Sequence, residues 1–193
     1  MKNISILFVT LLILLILVNY YVKNKDLIIL KGTDNRKYRL LDLPGKEKCL
    51  EMLVLLNNNT IKIIELLKKN KNEKKGINQV IKRYNPDTLS ENLENRSLTA
   101  YSLNKGEQIC ICLREPKDEN KIITDENTLM FVLIHELAHL MTEEIGHTDN
   151  FWKNMAFLLE KGNECGVYNP INYSESPVMY CGVNVNQTPY IFK

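Results

Sequence analysis

The distribution of hydrophobic residues predicts one long apolar segment at the N-terminus, followed by shorter helices and strands. Residues 4–18 are apolar apart from two hydroxyl side chains, and with residues 19–22 they make a segment of about 19 residues. A helix of that length can cross the roughly 30 Å hydrocarbon layer of a bilayer. Tyr20 and Tyr21 fit an interfacial aromatic belt. We expect a retained transmembrane anchor over residues 1–25; the alternative is a cleaved signal peptide.

Two further helices are expected before the middle of the chain. Apolar residues recur at intervals of three and four over residues 46–72, although three consecutive asparagines at residues 57–59 allow two helices instead of one. A short helix over residues 77–84 ends before Pro86, because the residue preceding a proline avoids the helical conformation. Residues 86–95 are polar and are expected to form a loop.

Four short apolar runs predict two β-hairpins. Residues 27–30 and 37–41 flank one turn, and residues 99–103 and 108–113 flank another. An edge strand can hold an extended peptide through backbone hydrogen bonds, so either strand of the second hairpin could bind a substrate. The sequence does not indicate which of the two strands lies at the edge.

The pattern H-E-x-x-H occurs once, within a helix expected over residues 126–142. Positions four apart share a helix face, so His135 and His139 can bind one metal ion. Glu136 lies beside the first ligand, where its carboxylate can take a proton from a metal-bound water. The third and last histidine of the chain, His147, follows shortly afterwards. The alternative, histidines buried in an apolar helix without a partner, is energetically costly.

The residues after this motif carry a family resemblance. Residues 146–152 read Gly-His-Thr-Asp-Asn-Phe-Trp. With the preceding H-E-L-A-H, they resemble the WLM and SprT-like metallopeptidases, in the compact forms encoded by large DNA viruses. The resemblance covers roughly residues 77–185. It implies an α+β, zincin-like fold that is mostly helical, with a small β-sheet beside the metal-binding helix.

The same resemblance implies the composition of the site and its reaction. One Zn²⁺ would be bound by His135, His139 and His147. Glu136 would be the general base in the hydrolysis of peptide bonds, and the substrate would be a protein or peptide. The spacing between the second and third histidines is two residues longer than is common in these families. A helix over residues 150–162 is expected to hold His147 in position.

These observations predict three regions. Residues 1–25 form the transmembrane anchor, residues 26–45 a juxtamembrane segment, and residues 46–193 a zincin-like metallopeptidase domain. The protein is then a single-pass membrane protein of a host-cell or virion membrane, and the N-terminal helix is its membrane contact.

The charge distribution argues against nucleic acid as a partner. The net charge of +2 includes three lysines and no acidic residue within residues 1–25, which leaves a net charge of −1 for residues 26–193. A near-neutral domain gives no general case for nucleic acid binding.

Two other functions remain open. One is a zinc-stabilised membrane scaffold without catalysis, in which Glu143, Glu144 or Asp149 closes a four-ligand site. The other is a SprT-like protease that acts on DNA–protein crosslinks.

The cysteines and the C-terminal region give weaker indications. None of the five cysteines forms a C-x-x-C pair, and we expect small buried side chains, with a Cys165–Cys181 disulfide as the alternative. Ser-Pro-Val-Met-Tyr at residues 176–180 resembles a methionine turn. On that resemblance Met179 would lie under the metal and Tyr180 would reach the oxyanion, whereas ordinary packing is the simpler interpretation.

Overall fold

The computed structural model describes residues 2–24, 26–92 and 99–192. Helices and strands alternate irregularly along the described chain, as expected for a mixed α+β fold. The helices are α1 (Lys2–Asn24), α2 (Lys46–Lys69), α3 (Ile77–Arg83), α4 (Glu126–Met141) and α5 (Asp149–Glu164), with a 3₁₀ turn at Pro86–Thr88. The strands are β1 (Leu27–Lys31), β2 (Lys37–Leu41), β3 (Leu89–Glu91), β4 (Ala100–Leu103), β5 (Gln108–Ile111), β6 (Arg114–Glu115), β7 (Asp118–Ile122), β8 (Val178–Tyr180) and β9 (Val183–Val185).

Helix α4 is the centre of the hydrophobic core. It packs against α2, α3 and α5 and against strands β4 and β5. Its sequence is apolar on nearly every side, and such a helix is stable in water only when other elements surround it. Asp125 caps its first turn by accepting hydrogen bonds from the backbone N–H groups of Asn127 and Thr128 at 3.1 and 3.3 Å.

Strands β3, β5 and β4 form a three-stranded sheet, in that order. β3 runs parallel to β5, and β4 runs antiparallel to it. In the second predicted hairpin, β4 is therefore the edge strand and β5 is central. The prediction of a loop over residues 86–95 is wrong where β3 forms, and residues 93–95 lie outside the described residues.

A buried ion pair joins the first hairpin to this sheet. The Glu91 carboxylate of β3 accepts hydrogen bonds from the Leu41 backbone N–H at 2.9 Å and from Arg114 Nε at 2.7 Å. On β2, Tyr38 and Leu40 are completely buried in the same core as α4. The predicted domain boundaries stay a prediction, although residues 26–45 pack on the fold that follows them.

Helix α2 is a single helix in spite of its three consecutive asparagines. Asn57 is fully buried. Its amide donates hydrogen bonds to Tyr38 Oη at 2.7 Å and to the Pro86 carbonyl at 2.9 Å. A buried amide is tolerated in a helix when it finds partners of this kind, which a one-dimensional pattern does not reveal.

The prediction of a transmembrane anchor is wrong. Among the residues that the structure describes, no helix combines the length and the apolar character needed to cross a membrane. The apolar run over residues 4–18 spans about 22 Å at 1.5 Å per residue, which is shorter than the hydrocarbon layer. A segment long enough to cross the bilayer also requires residues 19–22, which include an asparagine and two tyrosines. The predicted single-pass localisation and membrane contact are wrong for the same reason.

A disulfide connects Cys112, just after β5, to Cys181, just after β8. The alternative Cys165–Cys181 bridge is therefore not formed, and Cys165 is a partly exposed thiol. The expectation of small buried side chains fits Cys49 and Cys110, both of which are buried. The bond attaches the β8–β9 hairpin to the sheet.

Candidate metal centre

The three histidines of the chain meet at one end of α4. Their ligand nitrogens all lie within 4.8 Å of one another. His135 and His139 point from the same face of the helix, and their ring centroids are 5.0 Å apart. His147 reaches them from the loop between α4 and α5, with its Nε2 atom 3.0 Å from Nε2 of His135. Helical spacing brings His135 and His139 together, and the loop between α4 and α5 adds His147, so the three predicted residues converge.

The first two histidines are electrically neutral at physiological pH. Burial lowers the pKa of His135 to about 3, and the neighbouring imidazoles add to this effect. Burial and the positive potential of its neighbours lower the pKa of His139 to about 4. A neutral imidazole keeps a nitrogen lone pair available, which is the form that binds a metal ion.

Glu136 is buried beside the histidines. Only 4% of the residue is exposed. Burial raises the pKa of its carboxyl group to about 7, although hydrogen bonds from the hydroxyl and backbone N–H of Ser102 oppose the rise. A carboxylate with a pKa near neutrality can both accept and release a proton under physiological conditions. Ser102 lies on the edge strand β4, so the sheet holds this carboxylate in place.

Phe151, at the start of α5, forms a surface against which the three histidines pack. Its ring centroid lies 4.9 Å from that of His135, 4.4 Å from His139 and 4.7 Å from His147. Its side chain is completely buried. Trp152 is 40% exposed, with its ring 5.5 Å from that of His147. Phe151 is therefore a core residue, whereas Trp152 packs only in part.

Helix α5 begins one residue earlier than expected. Its N-cap is Thr148, whose side chain accepts a hydrogen bond from the backbone N–H of Phe151 at 3.3 Å. The preceding Gly146 has φ +84°, a left-handed conformation that favours glycine. His147 thus lies between a glycine turn and a capped helix, and both features restrict the backbone on either side of it.

An open cleft of about 770 Å³ leads to the histidines. Residues of β4 form one wall, residues of α4 form the floor, and the β8–β9 hairpin contributes Tyr180, Val183 and Val185. A cleft of this size admits a segment of extended polypeptide with its side chains.

The donor set fits a zinc ion. Zinc in proteins binds imidazole nitrogens at about 2.0–2.1 Å, so two ligands of one ion are at most roughly 4 Å apart. The observed spread of up to 4.8 Å requires only a small side-chain adjustment. The chemistry fits too, because neutral imidazoles are good ligands for zinc and other borderline divalent metals.

The family assignment comes from the length of the matching region. The WLM domain model matches residues 34–169, which include the three histidines and the buried core. The chain belongs to the WLM domain family. WLM proteins are hydrolases of the metalloprotease type. Membership of this family supports a protease-like function, a metal cofactor and a protein or peptide substrate.

Relatives of this WLM protein occur in large DNA viruses. Protein R325 of Acanthamoeba polyphaga mimivirus is 32% identical over 157 residues, which cover 79% of each chain. Protein 042R of Invertebrate iridescent virus 3 is 45% identical over 71 residues, or 37% of this chain and 43% of the relative. The chain is thus similar to WLM-type proteins encoded by large DNA viruses, as its motif predicted.

Among solved structures, this WLM chain is similar to Wss1 from Saccharomyces cerevisiae. The similarity has a TM-score of 0.49 with 25% sequence identity, and it covers 66% of this chain and 86% of that chain. A mutant of Wss1 matches with a TM-score of 0.47 and 23% identity, over 65% of this chain and 88% of that chain.

The proposed methionine turn is absent from this WLM site. Met179 is 64% exposed, so it is not the buried side chain that a methionine turn places beneath a metal. Tyr180 is buried, and its hydroxyl donates a hydrogen bond to the Cys112 carbonyl at 2.8 Å. Burial, reinforced by the charge of Glu136, raises its pKa. Tyr180 therefore fixes the wall of the cleft by packing, as the simpler interpretation held.

Two residues near the site had no motif to identify them. Ser102 contacts Glu136 from a strand that is distant in sequence. Lys105, in the turn after β4, contacts the loop that leads to His147. These side chains reach the site because β4 packs beside α4. Hydrophobic periodicity in the sequence does not predict that packing.

Proposed function

We propose that this protein is a zinc-dependent endopeptidase in which His135, His139 and His147 bind Zn²⁺ and Glu136 is the general base. The observation that supports this most strongly is the convergence of three histidine nitrogens within 4.8 Å beside a buried carboxylate. The chemistry that zinc supplies when bound is Lewis-acid activation of a water molecule and of the scissile carbonyl group.

Glu136 moves the proton. Its carboxylate takes a proton from the attacking water and then delivers it to the leaving amine as the peptide bond breaks. A pKa near 7 suits both steps, since the group is ionised in part of the population and can be reprotonated. Ser102 holds the carboxylate so that it turns toward the cleft rather than into the core.

Strand β4 provides a binding site for an extended substrate. In an antiparallel pair, every second residue of a strand forms its backbone hydrogen bonds with the neighbouring strand. The Cys112 backbone N–H donates to the Thr99 carbonyl at 2.9 Å, which identifies residue 99 as one that faces β5. Tyr101 and Leu103 therefore bond to β5, whereas Ala100 and Ser102 direct their backbone groups to the open edge. Glu136 already engages the Ser102 N–H. A substrate strand would pair with Ala100 and with the Ser102 carbonyl, and this holds its backbone across the site.

The test compares the zinc-loaded full chain with Glu136→Gln in cleavage of an unfolded protein. We expect the variant to bind zinc with unchanged stoichiometry and to lose at least about a hundredfold in kcat/KM, because a positioned general base contributes roughly that much or more. Glu126→Gln, on the exposed first turn of the same helix, is the matched control. Unchanged turnover in zinc-loaded Glu136→Gln would contradict the assignment of the base. Zinc binding without cleavage by either protein would favour the scaffold alternative.

A further inference from the structure

A single lysine contacts three successive backbone carbonyls at the end of the metal-binding helix. Lys105 Nζ donates to the carbonyl oxygens of Thr142 at 2.8 Å, Glu143, and Glu144 at 3.4 Å. An ammonium group has three N–H donors, so these contacts use its full capacity. The contacts also put a positive charge at a helix C-terminus, where the helix dipole stabilises it.

Apart from Lys105, the side-chain contacts of residues 143–146, in the loop between α4 and α5, are exposed ones, from Gln79 to Glu143 and from Asn150 to Glu144. Residues 143–147 are exposed, and Ile145 is 92% exposed. Within the described structure, no backbone–backbone hydrogen bond of this stretch holds it to another element. This loop carries His147. An exposed loop can adopt many conformations, so contacts with other elements are needed to hold a ligand in one orientation.

Lys105 itself occupies a constrained position. It lies in the β4–β5 turn, where Lys105 has φ 56° and the preceding Asn104 has φ 43°. Left-handed backbone at residues other than glycine carries an energetic cost, and the surrounding structure must offset it. The turn aims a half-buried lysine at the loop across the mouth of the cleft, and Lys105 also lines that cleft.

We propose that Lys105 is a positioning residue for the third metal ligand. Its ammonium group holds residues 142–144 so that His147 faces His135 and His139. The same lysine belongs to the turn of strand β4, so it links the edge strand of the cleft to the metal site. This inference rests on the proposed function in one respect, because it takes His147 as a zinc ligand.

The experiment measures zinc affinity of the full chain by competition with a chromophoric chelator. Lys105→Met keeps the length of the side chain and removes its donors. We expect about tenfold weaker zinc binding, at the lower end of the 10- to 100-fold losses seen when outer-shell contacts to metal ligands are removed. Lys105→Arg keeps a cation with several donors and should recover most of the affinity. Lys117→Met, an exposed lysine in the β6–β7 turn, is the matched control.

A double-mutant cycle separates positioning from general stability. If Lys105 acts through His147, then Lys105→Met should cost little further affinity in a His147→Ala background. The absorption spectrum of the Co²⁺-substituted protein gives a second readout, because its intensity changes when a ligand is lost or displaced. We expect Lys105→Met to shift this spectrum toward that of His147→Ala.

The outcomes distinguish this inference from the function on which it rests. Unchanged zinc affinity in Lys105→Met, with weakened binding in His147→Ala, would overturn the positioning role alone. A full tenfold loss in both backgrounds would also overturn it. Unchanged affinity in His147→Ala would overturn the ligand assignment and this inference together. If Lys105→Met does not fold, Lys105→Gln retains one donor group and provides a milder form of the same test.

Discussion

The two halves of the histidine cluster are built in different ways. His135 and His139 come from one face of α4, a capped helix in the centre of the core. His147 comes from an exposed loop held by Lys105, by Gly146 and by the first turn of α5. The helix half is fixed by local geometry, whereas the loop half depends on contacts from elements far away in sequence. Ligands of the first kind are preorganised, and ligands of the second kind must be held in place.

The largest expected effect tests this difference directly. His139→Ala should weaken zinc binding by more than about a hundredfold, because loss of a ligand costs more than the 10- to 100-fold of an outer-shell contact. His147→Ala should cost less, since immobilising an exposed loop offsets part of what that ligand contributes. Chelator competition on both variants measures the two losses. Equal losses would mean that the loop half is as preorganised as the helix half.

A second prediction concerns how the stability of the metal-free protein depends on pH through the titratable groups of α4. The pKa values of His135 and His139 lie below the 6.5 of an unfolded chain, so the fold binds fewer protons and loses stability as the pH falls below about 6.5. The pKa of Glu136 is raised to about 7 from 4.5, so this carboxyl binds an extra proton in the fold and opposes that loss between these values.

Glu136→Gln should therefore make the acid destabilisation of the metal-free protein steeper between about pH 6.5 and 4.5. Urea unfolding, followed by the fluorescence of Trp152, the only tryptophan of the chain, measures this at each pH in the presence of a chelator. Glu126→Gln, which removes an exposed carboxyl group from the same helix, is the control for the substitution itself. Parallel pH profiles for wild type and Glu136→Gln would show that burial of this carboxyl does not perturb its titration.

The smallest expected effect on zinc binding concerns the Phe151 ring, against which all three histidines pack. Phe151→Leu keeps an apolar side chain, so the free energy of unfolding should fall by less than about 1.5 kcal/mol. Zinc binding should weaken by roughly tenfold, the lower range for outer-shell contacts, because the lost ring packs on all three imidazoles. Phe157→Leu on the same helix is the control, since its ring lies near Lys74 and Lys161 instead. Equal zinc affinities in the two variants would remove Phe151 from the metal site.

The comparison also explains which features could be predicted from the sequence. Helical spacing is enough to bring His135 and His139 together, and the predicted helix of residues 126–142 agrees closely with α4. The convergence of His147 was expected only through a family resemblance. Ser102 and Lys105 were missed because their contacts depend on how β4 lies beside α4.

The N-terminal segment shows a different limit of sequence patterns. Residues 8–18 of α1 and residues 129–134 of α4 are both strongly apolar, yet the apolar residues of the former are 49–68% exposed and the latter are buried. Apolar composition predicts a helix in both places. It does not indicate what surrounds that helix, and the predicted membrane span was wrong on this point.

The disulfide between Cys112 and Cys181 closes a covalent loop in the polypeptide chain. The three histidines and Glu136 all lie within the 69-residue interval that it closes. Such a closure stabilises a fold by about 4 kcal/mol in the chain-entropy account. It also means that a single backbone cut inside this interval leaves one covalent molecule. A nicked protein would migrate as one species on a denaturing gel without reductant and as two fragments once the bridge is reduced.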